Sequence, residues 1–137
     1  MTPDEWLPDE TWAWVRKACK DIRAAELCEA ELPSEALFHC QQAVEKLLKA
    51  FLTWHGKPFR KTHELRELAM ACVQFDASLE AVLEPATALS QFAWQFRYPG
   101  EPYEPDPQEA VEGRGLAEGV RIEILKRLPP EAIKPTA

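Results

Sequence analysis

The chain has 137 residues and a mass of 15.6 kDa, with 46% apolar and 28% charged residues and a formal net charge of −7. These figures fit one ordinary domain with a real core and exclude collagen-like, fully disordered and disulfide-scaffold classes. The longest apolar runs fall far short of the roughly 20 residues of a membrane span, and MTPDEWLPDE has neither the basic start nor the apolar centre of a signal peptide, so a cytoplasmic location is expected.

In chain order the pattern is helical. Asp9 is positioned to cap a first helix running to about Glu31, with Trp12, Val15, Ala18, Ile22 and Ala25 at three-and-four spacing. Trp6, Trp12 and Trp14 crowd this region, and not all three can face one core. Leu32-Pro33 breaks the pattern, and Ser34 is positioned to cap a second helix. There Leu37, Cys40, Val44, Leu47, Phe51 and Trp54 form a continuous apolar seam, which Gly56 and Pro58 end. Lys57, Arg60 and Lys61 make a basic loop. Thr62 is positioned to cap a third helix with Leu65, Leu68, Ala69, Cys72 and Val73 on its apolar side. A fourth helix is expected from Ser78 to Phe96, kinked or split at Pro85. Residues 98–107 hold four prolines and a glycine and read as a loop. Asp106-Pro107 then opens a fifth helix to about Leu128. Gly113, Gly115 and Gly119 weaken it but permit close helix approach. No segment alternates with period two. The expected fold is all-α, a compact bundle of four to five antiparallel helices over residues 1–128, with a frayed tail at 129–137.

Cys19, Cys28, Cys40 and Cys72 form no CxxC pair and sit among apolar helical residues, so buried reduced thiols are expected. The charge is unevenly spread. Residues 1–10 hold four acids and no base, whereas residues 34–66 hold six bases and three acids. The overall balance argues against non-specific nucleic-acid binding. An anionic ligand is therefore sought in the middle of the chain.

Phosphate-binding glycine loops, HExxH, GxSxG and EF-hand spacings are absent. His39, His55 and His63 form no i,i+4 pair, so neither a metal nor another cofactor is expected. Two constellations remain. On the second helix Glu35, His39, Gln42, Lys46 and Lys49 fall on one side, flanked by Gln41 and Glu45. A His-Gln-Lys stripe offers donors suited to a phosphate or to a partner's carboxylates. The plainer reading is a solvated face, although such faces favour Glu, Lys and Ala over His-Gln-Gln. The second constellation is KPFRKTHELRE, where Lys57, Arg60, Lys61 and Arg66 surround a helix start that attracts anions.

FHCQQAVEKLLKAFLTWHG (38–56), KTHELREL (61–68) and FRYPG (96–100) together resemble the HEPN domain (higher eukaryotes and prokaryotes nucleotide-binding), over roughly residues 9–128. The resemblance implies a compact four- to five-helix bundle. It also implies a small protein that dimerises and acts with a separate minimal nucleotidyltransferase, in a two-component, toxin–antitoxin-like arrangement. Carried over position by position, the signature residues are His39, Gln41, Gln42, Glu45, Lys46, His63, Arg97, Tyr98 and Pro99. Of these, His39, Gln42, Lys46, His63, Arg97 and Tyr98 suit a nucleotide phosphate, its base or an acidic partner residue. Gln41, Glu45 and Pro99 read as structural, with Glu45 free to pair with Lys49 or Arg97. Lys57, Arg60 and Lys61 form a secondary basic patch.

Ribonuclease members of the family carry Arg followed by four to six residues and then His. Here His39, His55 and His63 lack an Arg at the required distance, and Arg97 is followed by Pro102, Tyr103 and Glu104 there. That departure argues against ribonuclease activity by the family mechanism, and no catalytic residue is assigned. The alternatives are a ribonuclease with a degenerate site built from His39, His63 and Arg97, and a purely structural dimerisation module.

Overall fold

The computed structural model describes residues 2–95, 99–100 and 103–133; of Pro3 and Asp4 it describes only the backbone. Five α-helices form among these residues: α1 Pro3–Cys28, α2 Pro33–Trp54, α3 Leu65–Phe75, α4 Glu80–Ala86 and α5 Pro107–Leu125. They pack against one another as an all-helical bundle, with α2 touching α1, α3 and α5. None is long and apolar enough to cross a membrane.

Several boundaries move from their expected places, each for a local reason. α1 begins at Pro3, because proline at a first helical position loses no hydrogen bond, and it runs on through Pro8. α2 likewise starts on Pro33, with Leu32 rather than Ser34 at its cap. It ends as the sequence predicts. Gly56 has φ +67°, and the Lys57 N–H closes back onto the Leu52 carbonyl at 2.9 Å. α3 starts at Leu65 with Glu64, not Thr62, as its cap: the Glu64 carboxylate accepts from the Arg66 N–H at 3.2 Å. The expected fourth helix is split into a 3-10 turn (77–79), α4 around Pro85, and a 3-10 segment from Thr87 to Ala93. Asp106 caps α5 by accepting the Glu109 N–H at 2.9 Å. Within the stretch 129–137 expected as a frayed tail, Pro130–Ala132 forms a short 3-10 turn with Ala132 buried, and residues 134–137 lie outside the described residues.

The seam on α2 is the centre of the core. Leu37, Cys40, Val44, Leu47 and Phe51 are buried, and so are Leu48, Ala50 and Leu52 on its other flanks. Each large side chain so buried contributes about 1.5–3 kcal/mol relative to exposure. α5 crosses α2 at Gly113, where an added Cβ would lie 2.7 Å from Leu37 Cδ2. Gly115 faces open space, so the close-approach reading holds at Gly113 and not at Gly115. Arg114, next to that crossing, ties α5 to the end of α1 with a two-pronged ion pair to Glu29 at 2.7 and 3.1 Å. All four cysteines are free thiols; Cys40 and Cys72 are buried, while Cys19 and Cys28 are half-buried. Of the three clustered tryptophans, Trp6 is the exposed one.

Candidate functional site

α2 brings its polar residues into two clusters. At its middle, Glu45 is buried and accepts three hydrogen bonds: from Gln41 Nε2 at 3.1 Å, Lys49 Nζ at 2.9 Å and His63 Nδ1 at 2.8 Å. Burial by itself would raise the Glu45 pKa; the bonds from Lys49, His63 and Gln41 outweigh it and hold the carboxyl below its ordinary 4.5. Gln41, fully buried, also donates to the His63 carbonyl at 3.1 Å and accepts from Gln42 Nε2 at 2.7 Å. That is the physical reason for two adjacent glutamines on this face. A lysine or glutamate at Gln41 would offer only donors or only acceptors where both are needed. The Lys49 ammonium lies 5.5 Å from the Trp14 ring and 5.6 Å from the Phe59 ring. Cation–π attraction adds to its ion pair there. Lys49 is therefore not part of a solvated stripe.

The second cluster lies at the α1–α2 edge. Asp21 of α1 accepts from His39 Nδ1 at 2.9 Å on one oxygen and from Lys46 Nζ at 2.5 Å on the other. The His39 and Lys46 side chains remain 30% and 21% exposed. With Nδ1 engaged by a carboxylate, the imidazole turns Nε2 away from Asp21. Lys46 keeps two N–H groups beyond the one given to Asp21. Gln42 falls between His39 and Lys46 on the helix surface and links this edge to the Glu45 cluster through Gln41.

Asp21 was missed by sequence reasoning, yet a signal existed. It stands three residues after Ala18 and four before Ala25, on the core-facing side of α1, where an acid needs a partner.

The basic loop behaves differently from the sequence-based expectation. Arg60 is paired with Glu67 at 2.7 Å. The first N–H groups of α3 are already occupied: Arg66 N–H by Glu64, and Leu65 N–H by the Ser90 hydroxyl at 2.9 Å. The loop thus supplies its own anion to that helix start. Lys57 and Lys61 are exposed and have no ion pair among the described residues. His63 is anchored on Glu45 while most of its ring faces solvent, so it joins the α2 network and not the loop's cations. Arg97 and Tyr98 lie outside the described residues, and Pro99 is exposed. Among the described residues, no three His, Cys, Asp or Glu side chains come together as a metal site.

The family model described as the HEPN domain matches residues 11–128. Comparison with curated proteins and with solved structures gave no match.

Proposed function

The chain belongs to the HEPN domain family, and from that premise we propose that it is a non-catalytic binding module. On this reading it dimerises and works with a separate minimal nucleotidyltransferase in a two-component, toxin–antitoxin-like system. The α1–α2 edge takes a nucleotide phosphate or an acidic residue of that partner. The observation that carries the reading is the arrangement around Asp21: a partly exposed ammonium and a partly exposed imidazole, both fixed by one carboxylate. Donors held in place before binding lose little freedom on meeting an oxyanion. Leu27, Leu32, Met70 and Trp94 are exposed apolar side chains available to a dimer or a partner. Arg97 and Tyr98 are assigned to the same role, as charge partner and as stacking ring.

The test is calorimetric titration of AMP and ATP into the chain, alongside co-purification with the nucleotidyltransferase. Lys46→Ala is expected to weaken one of these at least about tenfold, the size of one charged hydrogen bond. Unchanged binding of both nucleotide and partner in Lys46→Ala and Arg97→Ala overturns the assignment.

A second reading, as a metal-independent ribonuclease, draws on the two carboxylate–imidazole couples, Asp21–His39 and Glu45–His63. Imidazoles so oriented are suited to acid–base work. Helical rise separates His39 from Glu45 by about 9 Å along α2. RNA cleavage by homogeneous protein, lost in both His39→Ala and His63→Ala, would favour this reading over the first.

A further inference from the structure

A separate recess lies between the opening turns of α1 and the segment that leaves α2. It has a volume of about 470 Å³ and is lined by Trp6, Leu7 and Glu10 on one side and Thr53, Lys57 and Phe59 on the other. Small-molecule sites span roughly 300–1,000 Å³.

One wall is rigid before any ligand arrives. The Phe59 ring stands edge-to-face on Trp14 at 6.1 Å and beside the Lys49 ammonium. The backbone at Lys57 is pinned by its bond to the Leu52 carbonyl, next to a left-handed Gly56. The Trp6 indole, 36% exposed, contributes a second aromatic surface. Lys57 and Glu10 bring one charge of each sign, and neither has an ion pair among the described residues.

This charge balance selects the ligand class. A polyphosphate would gain one ammonium but bring its several negative charges against Glu10. A ligand with one aromatic ring, one ammonium and one carboxylate leaves no charge uncompensated. We propose that this cleft binds a free aromatic amino acid. The ring lies against Trp6 and Phe59, the ammonium meets Glu10, the carboxylate meets Lys57, and the Thr53 hydroxyl is available as a further hydrogen-bond partner. The proposal is independent of the α1–α2 edge and of its ligand.

The test is calorimetric titration of the full chain with L-phenylalanine, and in parallel with 3-phenylpropionate, phenethylamine, L-alanine and AMP. L-Phenylalanine binds, and removing its ammonium, carboxylate or ring weakens binding at least about tenfold, as expected for loss of a charged hydrogen bond or an aromatic contact. Lys57→Ala and Glu10→Gln, both at exposed positions and checked for unchanged helicity by circular dichroism, each weaken binding by a similar factor. Lys46→Ala leaves it unchanged. Absence of binding, binding in both cleft variants unchanged from the wild-type chain, or preferential binding of AMP that is lost in Lys57→Ala overturns the proposal.

Discussion

Glu45 and Asp21 use the same chemistry to different ends. Each carboxylate accepts from an imidazole Nδ1 and from a lysine ammonium. Glu45 adds a third donor, Gln41, and is buried with its lysine, whose ammonium lies near the Trp14 and Phe59 rings. Asp21, also buried, has no third donor among its described bonds, and its lysine reaches the surface where Lys49 does not; both couples keep an imidazole that meets solvent. The difference teaches that residue type does not distinguish a fastening from an accessible edge; the number of donors and the burial of the lysine do. Where desolvation is complete, breaking the group strands several polar atoms at once. Where it is partial, water replaces what is lost.

The sharpest way to break this comparison is to remove each carboxylate. Glu45→Ala leaves the Lys49 ammonium buried without its carboxylate and Gln41 with the His63 carbonyl as its remaining acceptor, and is expected to cost about 3–5 kcal/mol, read from the urea midpoint. Asp21→Ala is expected to cost only about 1–2 kcal/mol. Equal losses would erase the distinction. The same contrast recurs in α5. Gly113→Ala drives a methyl into Leu37 and is expected to destabilise by about 1–3 kcal/mol. Gly115→Ala, in open space, is expected to stabilise by up to about 1 kcal/mol. Thermal melts of the two variants should therefore move in opposite directions.

Acid offers a gentler probe. Partial desolvation against Phe51 and Phe75 depresses the pKa of the otherwise exposed His55 below its ordinary 6.5, with Asp76 opposing, and Glu45 is held below 4.5. A depressed folded-state pKa gives stability that is complete above the unfolded value and lost as pH falls through the folded one. The melting temperature is therefore expected to decline first as pH drops below 6.5 and again below 4.5. His55→Phe should remove the first decline and Glu45→Gln reduce the second, to which Glu67, Asp76 and Glu123, each held low by hydrogen-bonding partners, also contribute; an undiminished pair of steps in these variants would count against the assignment. The smallest effect is chemical and not energetic. Burial pushes the Cys40 and Cys72 thiols up to about 12. A thiol reagent should label Cys19 and Cys28 in the native protein, and all four only after unfolding.

Much of this architecture was legible because helical periodicity reports burial directly. The seam from Leu37 to Phe51, the stop at Gly56 and the start at Asp106-Pro107 all follow from spacing and cap chemistry. Helix starts at Pro3, Pro33 and Leu65 were less legible, because proline at the first helical position and a glutamate cap competed with the more familiar signals at Asp9, Ser34 and Thr62. The candidate site was half legible. His39, Gln42 and Lys46 share a helical face by arithmetic. Their acidic partner comes from another helix, and the Glu45–His63 contact spans a loop whose path no local rule sets. Lys49 was misplaced onto a solvated face, because an i,i+4 pair with Glu45 looks the same in sequence whether it is wet or dry.

The crossing of α5 over α2 has a consequence for how the chain is made. Synthesis runs from the N-terminus, so α1 and α2 emerge first and can pair as soon as they clear the ribosome. The side of α2 carrying Leu37 and Cys40 stays uncovered until the residues around Gly113 appear. Throughout that interval the nascent chain presents an apolar face that α5 later covers. A truncation before residue 107 would leave this face permanently open, making the fragment a client for chaperones or a seed for aggregation.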